Sequence, residues 1–209
     1  MLFKLSYPYN LKRICAALRS HMRVISGKFK SKKLYAPADN RVRPTADRIK
    51  ETLFNILASK GFKDDITVLD LFGGSGALGI EALSRGALKA VFIDRDAESI
   101  KLIKQNLAHV GALSGEYEIY NKDFAFALKK LHGRKFDVIF ADPPYAGGYE
   151  KQIIALTDLY GVLDADGVLV IEHSSDVAVD SVNFTKDERI CGNTILSFLS
   201  YDKEDAHNE

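Results

Sequence analysis

Val68-Leu69-Asp70-Leu71-Phe72-Gly73-Gly74-Ser75-Gly76-Ala77-Leu78-Gly79 carries an apolar run into a glycine-rich turn and then into a helical pattern. Glycines at such a turn let the backbone fold sharply and let a ligand approach the main chain. The helix that follows offers free N–H groups at its first turn. Strand-like and helix-like segments then alternate: strands over 88–93, 116–120, 136–141 and 168–172, and helices over 76–85, 96–110, 124–131 and 151–159. Repeated strand–helix units predict an α/β fold with a doubly wound, mostly parallel sheet and right-handed crossovers. The end differs. Residues 182–190 and 194–200 read as two strands around Gly192-Asn193, which predicts an antiparallel C-terminal hairpin.

Upstream, residues 23–36 mix Val24, Ile25, Phe29, Leu34 and Tyr35 with basic side chains and read as a short basic β-hairpin. A helix is expected from an N-cap at Thr45, with Ile49, Leu53, Ile56 and Leu57 on one face and Gly61 at its end. The expected organisation is an extension over 1–21, disordered or upstream of the true start, and a basic RNA-binding appendage over 22–60. A catalytic domain over 61–200 and a frayed tail over 201–209 complete it.

With 209 residues, 46% hydrophobic and 27% charged, the composition is that of an ordinary globular chain. No apolar stretch approaches the roughly 20 residues needed to cross a bilayer. Cys15 and Cys191 are too few for a disulfide framework and lack metal-ligand spacing; they read as passive thiols in a reducing compartment. The net charge is +1, but residues 1–50 hold 13 Lys and Arg against 2 Asp and Glu. Such asymmetry predicts an arm that meets a polyanion, with Arg23, Lys28, Lys30, Lys32, Lys33 and Arg43 as the candidate contacts.

Two motifs carry chemistry. Gly74, Gly76 and Gly79 fit G-x-G-x-x-G, and Asp94 lies 20 residues after Gly74, where an acid could hold ribose hydroxyls. A nicotinamide cofactor is therefore open on this segment alone. Asp70, however, would repel a pyrophosphate and suits an amino-bearing cation. Asp123 could accept from an adenine amine with Phe124 on its face, or be a plain N-cap beside a core ring. The second motif is Asp142-Pro143-Pro144-Tyr145, directly after the apolar run 136–141. Neither proline can donate to a ladder, so the strand stops in a stiff loop. A carboxylate, proline carbonyls and a stacking ring at a strand's carboxyl end suit a flat base held by its exocyclic amine. Asp rather than Asn at 142 favours guanine, which offers donors at N1 and N2. His173 follows the fifth strand and could face the pocket, although a structural or supporting role fits it better; its neighbour Glu172 is open to the same two readings. Tyr149 falls in a loop that could move with substrate.

The order glycine loop, strand-two acid, Asp-Pro-Pro-Tyr resembles Rossmann-like class I amino-methyltransferases that use S-adenosylmethionine. Met22-Arg23-Val24-Ile25-Ser26-Gly27-Lys28-Phe29-Lys30 resembles the start of the RsmD family, and Arg43-Pro44-Thr45-Ala46-Asp47-Arg48-Ile49-Lys50-Glu51-Thr52-Leu53-Phe54-Asn55 its second signature. Residues 69–79, Glu81-Ala82-Leu83-Ser84-Arg85-Gly86-Ala87, residues 136–145 and Gly192-Asn193-Thr194 continue the likeness over 22–200. Gly74 departs from it, the family more often having alanine there. That family methylates the N2 amine of one guanine in bacterial 16S ribosomal RNA. The resemblance implies catalytic Asp142, Pro143, Pro144 and Tyr145. It implies cofactor contacts among Thr45, Asp70, Phe72, Gly73, Gly74, Ser75, Gly76, Asp94, Arg95, Asp123 and Phe124, with Arg43 over the pocket. It implies no metal, no membrane, and a cytoplasmic monomer acting on an assembling small ribosomal subunit. The alternatives are an adenine-N6 methyltransferase on RNA or DNA, a protein-glutamine methyltransferase, a nicotinamide oxidoreductase and a catalytically silent RNA-binding module.

Overall fold

The computed structural model describes residues 22–37, 44–144 and 148–202. Helix α1 (Pro44–Ser59) precedes four strand–helix units and a fifth strand: β1 (Thr67–Asp70), α2 (Ala77–Ser84), β2 (Lys89–Asp94), α3 (Ala97–Val110), β3 (Tyr117–Asn121), α4 (Phe124–Lys130), β4 (Phe136–Ala141), α5 (Glu150–Leu159) and β5 (Leu163–Ser174). A hairpin of β6 (Phe184–Cys191) and β7 (Thr194–Tyr201) closes the chain. The sheet order is β3-β2-β1-β4-β5-β7-β6. β1 to β5 run parallel, while β7 lies antiparallel to β5 and β6 to β7.

The central strands are near-continuous apolar runs because helices cover both their faces. Val68, Phe92, Val138, Phe140, Val168 and Val170 face one core with α1, α2 and α3; Leu69, Val91, Ile139, Leu169 and Ile171 face the other with α4 and α5. Between β1 and β4 the chain reverses its direction of winding, which opens a crevice at their carboxyl ends. Gly79 sets how close α2 comes to the sheet, since a Cβ there would lie 2.3 Å from the Phe92 ring.

Three local expectations are corrected. Residues 23–36 form no regular hairpin; one isolated antiparallel bridge, Arg23↔Lys33, is flanked by bonds from Val24 N–H to the Lys32 carbonyl and from Leu34 N–H to the Met22 carbonyl. Other N–H groups of the loop turn to α2: Ile25 and Ser26 donate to the Glu81 carboxylate at 2.8 and 3.0 Å, and Phe29 donates to Ser84 Oγ at 2.9 Å. Thr45 is not an N-cap, because α1 begins one residue earlier, at Pro44, as suits a ring that presets the helical φ. β5 starts at Leu163, not 168, because Leu163 pairs with Phe136 across a register shift. The polar 164–167 stretch is thereby carried into the strand.

Candidate active site

Asp70 ends β1 and Asp142 follows β4, so the switch point brings them together from 72 residues apart. Asp70 is 3% exposed, and its carboxylate accepts the Gly79 N–H at 3.3 Å. Burial pushes its carboxyl up to about 7, against the Gly79 bond, and the charges of Asp142 and Asp94 push the same way. The mass of protein around Asp142 raises that group to about 6. Its surface is nonetheless open to the crevice. Solvent access at that surface offsets part of the push, and a ligand that covered it would restore it. No hydrogen bond among the described residues takes the Asp142 carboxylate or the Pro143 carbonyl.

The crevice has two lobes that share Phe72, Gly74 and Asp142. One, of about 260 Å³, is lined by Asp70, Gly73, Ser75 and Leu78, by Met22, Pro37 and α1 residues, and by Glu172. The other, of about 440 Å³, is lined by Asp94, Arg95, Lys122, Asp123, Phe124, Pro143, Pro144 and Tyr149. Phe72, Phe124 and Tyr149 form one aromatic wall, with ring centroids 5.2 to 6.3 Å apart.

Asp94 has a second duty the sequence did not disclose. One oxygen accepts from Gly74 N–H and the other from Asp96 N–H, each at 2.8 Å. It therefore shapes the glycine loop, and each oxygen keeps a lone pair for a ligand hydroxyl. Asp123 caps α4 through Ala125 N–H at 2.9 Å, as the N-cap reading expects, and it also lines the crevice. Phe124 likewise is buried core and cavity wall. Tyr145, Arg43 and the side chain of Thr45 lie outside the described residues.

The basic loop supplies fewer open charges than its composition suggests. Arg23 pairs with Asp47 at 3.4 Å, Lys28 with Glu116, and Lys32 donates to the Val110 carbonyl at 2.7 Å. Lys30 and Lys33 are exposed and make no ion pair among the described residues. His173 is 1% exposed and bonds Ser197 Oγ at 2.7 Å, so it clamps β5 to β7 away from the crevice. Among the described residues no group of acids, histidines and cysteines could hold a metal, and no helix is long and apolar enough to cross a membrane.

Sequence reasoning placed Tyr149 only in a loop that could move with substrate, and it missed Asn106 and Glu81, which support the site from α3 and α2. Tyr149 is half-buried in the aromatic wall. Asn106 on α3 is fully buried; its amide donates to the Ser75 carbonyl at 2.8 Å and to the Tyr35 carbonyl at 2.9 Å, and its oxygen accepts Tyr35 N–H at 2.7 Å. Glu81 on α2 is fully buried, pairing with Lys50 at 3.3 Å and Arg85 at 2.8 Å besides holding Ile25 and Ser26. A polar residue inside an apolar helical stripe was the only available signal for the last two.

Residues 22–200 match the family model described as conserved hypothetical protein 95. Relatives called ribosomal RNA small subunit methyltransferase D are 38% identical in Escherichia coli (over 77% of this chain and 79% of the relative) and 35% in Haemophilus influenzae (76% and 81%). The chain belongs to the RsmD family. A solved structure from Escherichia coli, 32% identical, superposes with a TM-score of 0.75 over 86% of this chain and 97% of its own. The RsmD likeness thus spans the basic loop, the crevice and the terminal hairpin together, and the fold is the Rossmann-like class I methyltransferase fold.

Proposed function

We propose that this protein transfers a methyl group from S-adenosylmethionine to the N2 amine of a guanine in small-subunit ribosomal RNA. The observation that carries the reading is Asp142 and Pro143, two acceptors with no hydrogen-bond partner among the described residues, on a proline-braced loop that opens into the same crevice as Asp70 and the glycine loop. The names of the RsmD relatives support the RNA class.

The residues fit the cofactor. A buried carboxylate held at about 7 beside two other acids wants a cation, as the amino and sulfonium groups provide. The same three acids would repel a pyrophosphate, which counts against a nicotinamide dinucleotide. Asp94 lies where ribose hydroxyls would be held, and the Phe72–Phe124–Tyr149 wall suits the face of adenine.

When bound, the sulfonium supplies an electrophilic methyl group. The chain's residues do the rest. A guanine amine is a weak nucleophile because its lone pair is delocalised into the ring. Asp142 and the Pro143 carbonyl accept its two N–H bonds and favour a tetrahedral nitrogen. The carboxylate then offsets the positive charge developing on that nitrogen. Once the new N–C bond has formed, Asp142, raised to about 6, is placed to take the departing proton. Tyr145 would stack on the extruded base. Lys30 and Lys33 would track RNA phosphates, and such a substrate places the work in the cytoplasm where ribosomal subunits assemble.

Asp142→Ala should abolish methyl transfer to small-subunit particles, by at least about 10³-fold, while S-adenosylhomocysteine still raises the melting temperature. Retained turnover removes Asp142 from the mechanism. Mass spectrometry of ribosomal RNA nucleosides from cells lacking the protein should show one N2-methylguanosine missing; a missing N6-methyladenosine instead would select the adenine alternative.

A further inference from the structure

Residues 51–209 hold 16 Lys and Arg against 26 Asp and Glu, yet residues 121–135 within them hold five against one. Two of those five cations are engaged: Arg134 pairs with Glu118 at 2.8 Å, and Lys135 donates to the Leu163 carbonyl at 3.2 Å. Lys122, Lys129 and Lys130 are exposed and make no ion pair among the described residues. Two of them lie over rings instead of acids. Lys122 Nζ is 5.5 Å from the centre of the Phe126 ring, and Lys130 Nζ is 5.2 Å from that of Tyr120. Phe126 is 55% exposed, whereas Phe124 on the same helix is buried. Positions i+3 and i+4 neighbour i on a helix, so Lys129 and Lys130 flank Phe126 on α4 while Lys122 covers it from the other side.

The patch begins at the rim of the crevice. Lys122 lines the 440 Å³ lobe with Arg95, Pro143 and Pro144, and its backbone N–H donates to the Asp94 carbonyl at 3.0 Å. From there the exposed side chains continue along α4. That helix packs through Phe124, Ala127 and Leu128 on one face of the sheet, while Val24, Phe29 and Leu34 of the basic loop belong to the core on the other face. The crevice thus opens between two basic surfaces. An exposed ring among unpaired ammonium groups has the chemistry that single-stranded RNA requires: a base stacks on the ring, and phosphates meet the cations.

We propose that Lys122, Phe126, Lys129 and Lys130 form a second RNA-contact surface, which takes unpaired nucleotides flanking the target base while the 22–35 loop holds RNA on the other side of the crevice. The assignment rests on the ribosomal RNA reading above. Two linked contacts reinforce each other, because the second forms within an already bound complex.

The test uses small-subunit particles from cells lacking the protein, and small-subunit RNA stripped of protein. Charge reversal by Lys129→Glu with Lys130→Glu should raise KM for the particles with kcat largely unchanged. On stripped RNA it should weaken binding and flatten the salt slope by about 0.7–0.9 per lysine. Phe126→Ala should weaken stripped-RNA binding at least about fivefold with the slope kept, and Phe126→Tyr should retain it, since a tyrosine ring also stacks. The melting temperature and its rise with S-adenosylhomocysteine should stay as in wild type; where Phe126→Ala lowers the first, the lysine pair is decisive. Unchanged KM and salt slope in the lysine pair overturn the proposal. So does weaker binding to particles with unaltered binding to stripped RNA, which would assign the surface to a ribosomal protein. Wild-type protein that neither methylates the particles nor binds the RNA overturns the ribosomal RNA reading itself, whereas active wild type with unaffected variants removes only this surface.

Discussion

Asp70 shows how a site residue works against the stability of the fold that holds it. Its folded value of about 7 stands above the ordinary 3.8, so the folded chain binds this proton more tightly than the unfolded one. Its contribution to stability is therefore present below about pH 4 and is lost as pH rises toward 7. Above pH 7 an ionised carboxylate sits buried with no cation among the described residues beside it, which a bound ammonium would correct. Two outcomes follow at this scale. Asp70→Asn should raise the melting temperature of the ligand-free protein at pH 8, by about 2–4 °C for each 1 kcal/mol relieved, and should lose the thermal shift given by S-adenosylhomocysteine. In wild type, affinity for that ligand should climb between pH 6 and 8, and calorimetry in two buffers should detect proton release on binding. A flat pH profile would show that Asp70 does not provide the counter-charge.

The loop over 22–35 is built into the catalytic fold by elements distant in sequence. Val24, Phe29 and Leu34 are buried in the core that also holds Ile80 and Phe92. Gly27, at φ +80, crosses the end of α2 so closely that a Cβ would stand 1.6 Å from the Ser84 carbonyl oxygen. Glu81 then joins three elements: the loop through its N–H groups, α1 through Lys50, and its own helix through Arg85. Burial lowers the Lys50 ammonium despite Glu81 beside it, so that cation depends on its partner. Glu81→Leu should cost about 3–5 kcal/mol in denaturant unfolding, because it leaves Lys50 buried and unpaired. Adding Lys50→Met should recover part of that loss, since removing both charges is far less costly than removing one. Equal losses in the single and double variants would mean that the backbone contacts of Glu81, not the ion pair, dominate.

For the molecule as a whole, the basic loop leaves fewer lysines open among the described residues than its composition suggests, since Lys28 and Lys32 are already bonded. Reversing charge at Lys30 and Lys33 should weaken small-subunit RNA binding and flatten its salt slope by about 0.7–0.9 per lysine, with the melting temperature nearly unchanged. Reversal at Lys28 and Lys32, bonded to Glu116 and the Val110 carbonyl, should lower stability first. An unchanged slope for the first pair would return both to the solvated surface. The sequence by itself determined whatever is written in short-range pattern. Apolar runs marked the parallel strands, Gly73–Gly79 marked the turn into α2, the two prolines marked the end of β4, and Gly192-Asn193 marked the terminal hairpin. Period and backbone freedom are local properties, so local residues disclose them. Only the tertiary structure decided that Asp70, Asp142 and Glu172 share one crevice and that Tyr149 joins its wall. It also decided that Ile25, Ser26 and Tyr35 give their N–H groups to side chains 55 to 71 residues away, leaving no regular hairpin. Those outcomes depend on strand order and on which buried polar group finds a partner, and neither leaves a periodic trace along the chain.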